Sequence, residues 1–90
     1  LYGDEGRDQE QREQLTRYFS IVNKGGDVDS YPLNRLALLA LEGKGGPLDK
    51  DEALAALSLA ARQKYAMESR QLMQKHFPKQ AAAEKKFWPT

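Results

Sequence analysis

Residues 36–61 read LALLALEGKGGPLDKDEALAALSLAA, and this stretch leaves the chain little choice of fold. An apolar helical run stops at a glycine-rich loop, and a second helical run starts at an aspartate. Glycine at Gly43 ends a helix cheaply, because it accepts the left-handed conformation there. Loop 44–48 (KGGPL) is too short for anything but a tight helix-to-helix return. Asp49 is placed to cap the next helix, with Glu52 completing a capping box. The acidic residues Asp49, Asp51 and Glu52 also suit the positive end of the helix dipole. The buried face expected of that helix is Ala53, Leu54, Leu57, Ala60 and Ala61, whose small members let two helix axes approach closely.

The flanks extend the helical pattern. Residues 1–7 are polar, carry two glycines and are expected to be loose. Asp8 and Gln11 have capping-box spacing, which predicts a helix from there to about Lys24. Its stripe is Leu15, Tyr18, Phe19 and Val22, with Ile21 beside it, and Gly25-Gly26 ends it. After a short connection, Pro32 suits a first helical position. The second helix then runs to about Glu42, burying Leu33, Leu36, Ala37, Leu39 and Ala40, with Leu38 and Leu41 widening the face. Beyond Ala61 a break is expected near residues 64–66. A helix over 66–76 carries Met67, Leu72, Met73 and His76, and Phe77-Pro78 stops it, because a residue before proline avoids the helical region. Residues 79–87 form a short final helix. Phe87 and Trp88 either fold back as a lid or face a partner. The fold class is therefore all-α, an antiparallel helix-pair array of four to five helices.

Ninety residues make one domain with a thin core. The absence of cysteine removes disulfide staples, cysteine-ligated zinc and thiol chemistry. No apolar run approaches the roughly 18 residues of a membrane span, and these residues contain no signal peptide. The chain starts at Leu1 rather than Met, which leans toward a piece of a longer protein or a processed secreted one; the sequence leaves the compartment open between cytoplasmic and periplasmic or secreted after processing. Charge is uneven. Residues 1–61 hold 7 Lys/Arg and 11 Asp/Glu, a balance of −4, and residues 62–90 hold 7 and 2, a balance of +5. Solvated helix faces are the ordinary reading of both, and an acidic partner docking on the basic end is the sharper one.

Motifs for chemistry fail on spacing. Calcium loops starting at Asp27 or Asp49 would need glycine at position six and glutamate at twelve; the chain has Pro32 and Leu38, or Leu54 and Ala60. Gly43-Lys44-Gly45-Gly46 lacks the Lys-Ser/Thr ending of a phosphate loop. His76, the sole histidine, reads as a helix-end residue meeting the dipole. Glu10 and Glu13 lie one turn apart beside Arg7 and Arg12 on what reads as a solvated face. No catalytic residue, metal ligand or cofactor site is expected. Tyr2, Tyr31 and Tyr65 lie near helix ends; they are either core residues or binding anchors, with the core favoured. Trp88 divides evenly between packing over the last helices and anchoring a partner.

Across residues 36–61 the chain resembles a unit of the Sel-one-like repeat family, helical solenoid repeats related to tetratricopeptide repeats. Gly43, Gly45, Asp49, Ala53, Ala60 and Ala61 carry the resemblance. Near Lys64 and Tyr65 the family places a glycine that this chain lacks. A shift of 38 residues sets 18–24 on 56–62, a period that suits helix-pair solenoids. The resemblance implies one helical domain over 1–90. It has a complete unit near 32–63, partial units near 8–26 and 66–77, and an extension at 78–90. It further implies a non-catalytic interaction scaffold whose partner is another protein or peptide, bound by the first helix of each pair. The residues so indicated are Tyr31, Asn34, Arg35, Tyr65, Arg70 and Gln74, with Trp88 as a further anchor. Open repeat ends would allow a homodimer. The alternatives are a small inhibitor or immunity-type protein that blocks an enzyme through an acidic surface at 4–13, and nucleic-acid contact through Lys75, Lys79, Lys85 and Lys86. The +5 balance without arginine-rich patterning argues against the latter.

Overall fold

The computed structural model describes residues 4–89, with side chains from Gly6 onward. In chain order it contains α1 (Asp4–Val22), α2 (Ser30–Glu42), α3 (Lys50–Ala61), α4 (Met67–His76) and α5 (Pro78–Glu84), then a single 3-10 turn at Lys85–Phe87. No strand occurs among the described residues. Each helix packs on its neighbours in the chain, and α4 also reaches α2. The molecule measures 46 × 27 × 18 Å. Its smallest dimension fits two helix layers at interaxial distances of about 8–10 Å. The five helices therefore form an elongated all-α body.

The core lies between α2 and α3. Leu33, Leu36, Ala37, Leu39 and Ala40 of α2 are buried, as their helical spacing predicts. They meet Ala53, Ala56, Leu57, Ala60 and Ala61 of α3. Ala56 was not on the expected face. Its burial shows that α3 is covered on two sides, by α2 and by α4. Burying alanine yields little apolar area per residue, so the gain here comes from close helix approach. Met73 and Phe77 close the core from α4, and Val22 closes it from α1. One polar pair crosses it: Ser69 Oγ donates to Asn34 Oδ1, joining α4 to α2.

The N-terminal helix differs from its expected form. It begins by Asp4, so residues 4–7 are helical and Asp8 lies inside the helix rather than capping it. The larger departure is Arg12, which is 7% exposed although the sequence places it on a solvated face. Its Nη1 donates to the Lys44 carbonyl at 3.1 Å, and its Nε lies 3.6 Å from Glu52 Oε1. Arg12 thus fastens α1 to the loop between α2 and α3. Extending the stripe Val22, Phe19, Leu15 backward by three gives Arg12 and by four more gives Asp8; the helical period did contain the signal. Tyr18 makes a second fastening, its hydroxyl accepting the Asp29 N–H at 2.8 Å.

Asp29, not Pro32, sets the start of α2. Its Oδ1 accepts the Tyr31 N–H at 3.1 Å, and Pro32 falls in the first turn, where its missing N–H costs nothing. At the far end Gly43 adopts φ 68, the left-handed stop the sequence predicts. The loop then returns with Asp49 N–H bonded to the Ala40 carbonyl at 2.9 Å. Asp49 caps α3 by accepting the Glu52 N–H at 3.0 Å. The capping box is half formed, because Ala40 takes the Asp49 N–H and the Glu52 carboxylate turns to Arg12 instead.

Candidate interaction surface

The connection from α3 to α4 has no glycine, and it is built from side chains. The residues after α3 curl through Arg62 and Gln63, and Tyr65 then takes φ 62, the one non-glycine positive φ among the described residues. A tyrosine there costs on the order of 1 kcal/mol over glycine. The carbonyls at the end of α3 need donors, since no intrahelical partner follows them. Arg70 supplies two: its Nε donates to the Ala61 carbonyl at 3.0 Å and its Nη2 to the Gln63 carbonyl at 2.8 Å. Gln63 Nε2 donates to the Leu59 carbonyl at 3.0 Å. The break expected near 64–66 is present, held by Arg70 reaching back from α4.

The C-terminal segment folds over this turn. Pro78 opens α5 directly after α4, and Glu84 at its end ties back to α3, accepting from Ser58 Oγ at 2.9 Å and meeting Arg62 Nη2 at 3.4 Å. That brings the Arg70 guanidinium to 5.9 Å from the Trp88 ring centroid. Trp88 is half-buried against the core, and its Nε1–H is buried without an acceptor. Apolar packing and the cation–π contact therefore hold the ring. Phe87 points outward, 60% exposed, with Arg62 at 5.6 Å and Lys86 at 5.2 Å from its ring.

Between turn and C-terminal segment lies a cleft of about 520 Å³ lined by Lys64, Tyr65, Met67, Arg70 and Pro89. Tyr65 is 95% exposed and Met67 66% exposed. Three of the residues indicated by the sequence converge here: Tyr65 and Arg70 on the cleft, and Trp88 beneath Arg70. The other four lie elsewhere. Asn34 is only 4% exposed and bonded to Ser69, so it belongs to the core and not to a binding surface. Arg35 is half-buried, its Nε donating to Gln11 Oε1 at 3.2 Å across to α1. Tyr31 is exposed at the start of α2, and Gln74 is exposed on α4. Core roles for Tyr31 and Tyr65, favoured on sequence, do not hold, since both rings face solvent. Tyr2 lies outside the described residues.

Met67 lies on the outer side of α4. The buried stripe of α4 is Ala66, Ser69, Met73 and Phe77, spaced 3, 4 and 4, and Met67 is out of phase with it. A second cleft of about 610 Å³ is lined by Leu41, Leu54 and Phe77 together with the charged residues Glu42, Lys50 and Asp51. Among the described residues no three His, Asp or Glu side chains gather to hold a metal ion, and no helix is long and apolar enough to cross a membrane. Comparison with family models, curated proteins and solved structures returns no match for this chain.

Proposed function

We propose that this chain is a non-catalytic protein-interaction module that docks its partner at the corner between α3 and α4. The observation that carries the reading is Tyr65. Its backbone is held in a conformation that glycine would adopt without strain, and its ring is almost wholly in solvent. Strained residues persist where surrounding structure enforces them, and they cluster at functional sites. Tyrosine is also among the residues that concentrate binding energy at interfaces. Met67 beside it adds a flexible apolar side chain that adapts to different partner surfaces.

The helix-packing order supports a repeat-like scaffold of the Sel-one-like kind. The α2–α3 pair is followed by α4 resting on both of its members, the arrangement by which stacked helix pairs bury a continuous core. A photo-crosslinking amino acid placed at residue 65, in the cells that make this protein, tests the docking face. A discrete protein adduct is expected from position 65 and none from Gln9, an exposed position on α1. Equal labelling from the two positions would contradict the assignment.

A further inference from the structure

The interaction-module reading leaves the partner's chemistry open, and the charge around the cleft narrows it. We propose that the surface takes an acidic peptide segment bearing an apolar side chain, which enters the cleft beside Tyr65 and Met67 while its carboxylates meet the surrounding cations. The inference rests on the assignment of this corner as a docking face.

Three observations lead there. The cleft walls pair apolar surface with positive charge: Tyr65, Met67 and Pro89 face the space together with Lys64 and Arg70. Arg62 and Lys86 lie 5.6 and 5.2 Å from the ring of the outward Phe87, two residues before the cleft-lining Pro89. The balance over residues 62–90 is +5: Glu84 pairs with Arg62, which leaves Lys64, Arg70 and Lys86 as the cations on this side, and Glu68 stands on the first turn of α4. Cations arranged this way steer and select an oppositely charged segment, while buried aromatic contact supplies most of the affinity. A nucleic acid would also find cations and rings here. The rings, however, do not form a continuous stacking platform: Trp88 is half-buried with Arg70 over its ring, which leaves Phe87 as the outward ring of the pair. A second copy of the chain would offer the acids of α1 to the same cations, and self-association is therefore one outcome of the test.

The test selects peptides from a random 12-residue display library on the immobilised chain, with the Tyr65→Gly variant in parallel. Trp88 is the sole tryptophan and sits against Arg70, so its emission reports occupancy of the cleft in titrations with the selected peptides. Enriched peptides are expected to be net acidic with an apolar anchor and to shift Trp88 emission. They are expected to lose about tenfold in affinity on Tyr65→Gly and on Lys64→Glu, about 1.4 kcal/mol. Circular dichroism should show both variants folded. Enrichment of neutral or basic peptides that still depend on Tyr65 would overturn the acidic partner and leave the docking face in place. Recovery of the same peptides by wild type and Tyr65→Gly, or no enrichment by either, would overturn both. Tighter Tyr65-dependent binding of a 12-nucleotide oligothymidine than of any selected peptide would assign the surface to nucleic acid, and self-association abolished by Tyr65→Gly in light scattering would assign it to a second copy.

Discussion

The two connections that flank α3 solve the same problem by different means. The loop from α2 to α3 is written in the backbone. Gly43 stops one helix, Asp49 starts the next, and Gly45 lets the loop lie against α1 so closely that a Cβ would run into the Asp8 carbonyl and stand 2.9 Å from the Gln9 nitrogen. The turn from α3 to α4 has none of these residues. A tyrosine takes the left-handed conformation and an arginine from the following helix satisfies the open carbonyls. A glycine loop is bound to its local sequence, whereas the second turn depends on α4 and, through Trp88, on the C-terminal segment. The molecule thus holds its structure locally on one side of α3 and through distant side chains on the other.

Substitutions at each connection sharpen the contrast. Gly45→Ala should have the largest effect. It adds left-handed strain to a backbone collision that no side-chain rotation relieves, a combined loss of about 3 kcal/mol. In thermal melts followed by circular dichroism this is a fall of roughly 12–24 °C for a chain this size. Gly43→Ala separates the two terms, since its Cβ would sit at an ordinary 3.5 Å from Leu48. A loss of about 1 kcal/mol is expected there, and equal melting points for the two variants would refute the close-approach argument. Arg70→Ala ranks second to Gly45→Ala at about 2 kcal/mol, because it leaves the Ala61 and Gln63 carbonyls without donors. It should also red-shift Trp88 emission, an effect absent from Gly45→Ala; an unshifted spectrum would show that Trp88 does not depend on Arg70. Asp49→Ala should cost about 1 kcal/mol, the usual value of a lost N-cap. Tyr65→Gly is the smallest and has the opposite sign. Stability should hold or rise by up to about 1 kcal/mol, since relief of strain offsets the added freedom of the unfolded chain. A clear loss of stability would mean that the tyrosine serves the fold.

The same contrast explains what could be read from the sequence. The α2–α3 region was legible almost residue by residue. Its determinants are glycines, a capping aspartate and a helical period, and each acts within a few positions of itself. Arg12 was misread because an arginine in a polar helix defaults to solvent; only its phase with Leu15 and Phe19 shows that it faces inward, toward a carbonyl 32 residues away. The break after α3 was expected, but its mechanism was hidden, since nothing in KYAMESR announces that Arg70 turns back to cap the preceding helix. The candidate surface was half legible. Tyr65, Arg70 and Trp88 stood out as residue types, whereas their convergence with Met67 and Pro89 depends on how α5 returns the chain.

The neighbour-to-neighbour packing of the five helices has a kinetic consequence. When contacts are made mainly with elements adjacent in the chain, little loop-closure entropy must be spent before native contacts form, and folding is fast. The α2–α3 hairpin, with its local stop and start signals and the densest part of the core, is the natural nucleus. Helices α1 and α5 would add to it last and open first. Native-state hydrogen exchange should then rank the amides of α2 and α3 as slowest, with α1 releasing its protons through a partial unfolding that leaves the central pair intact.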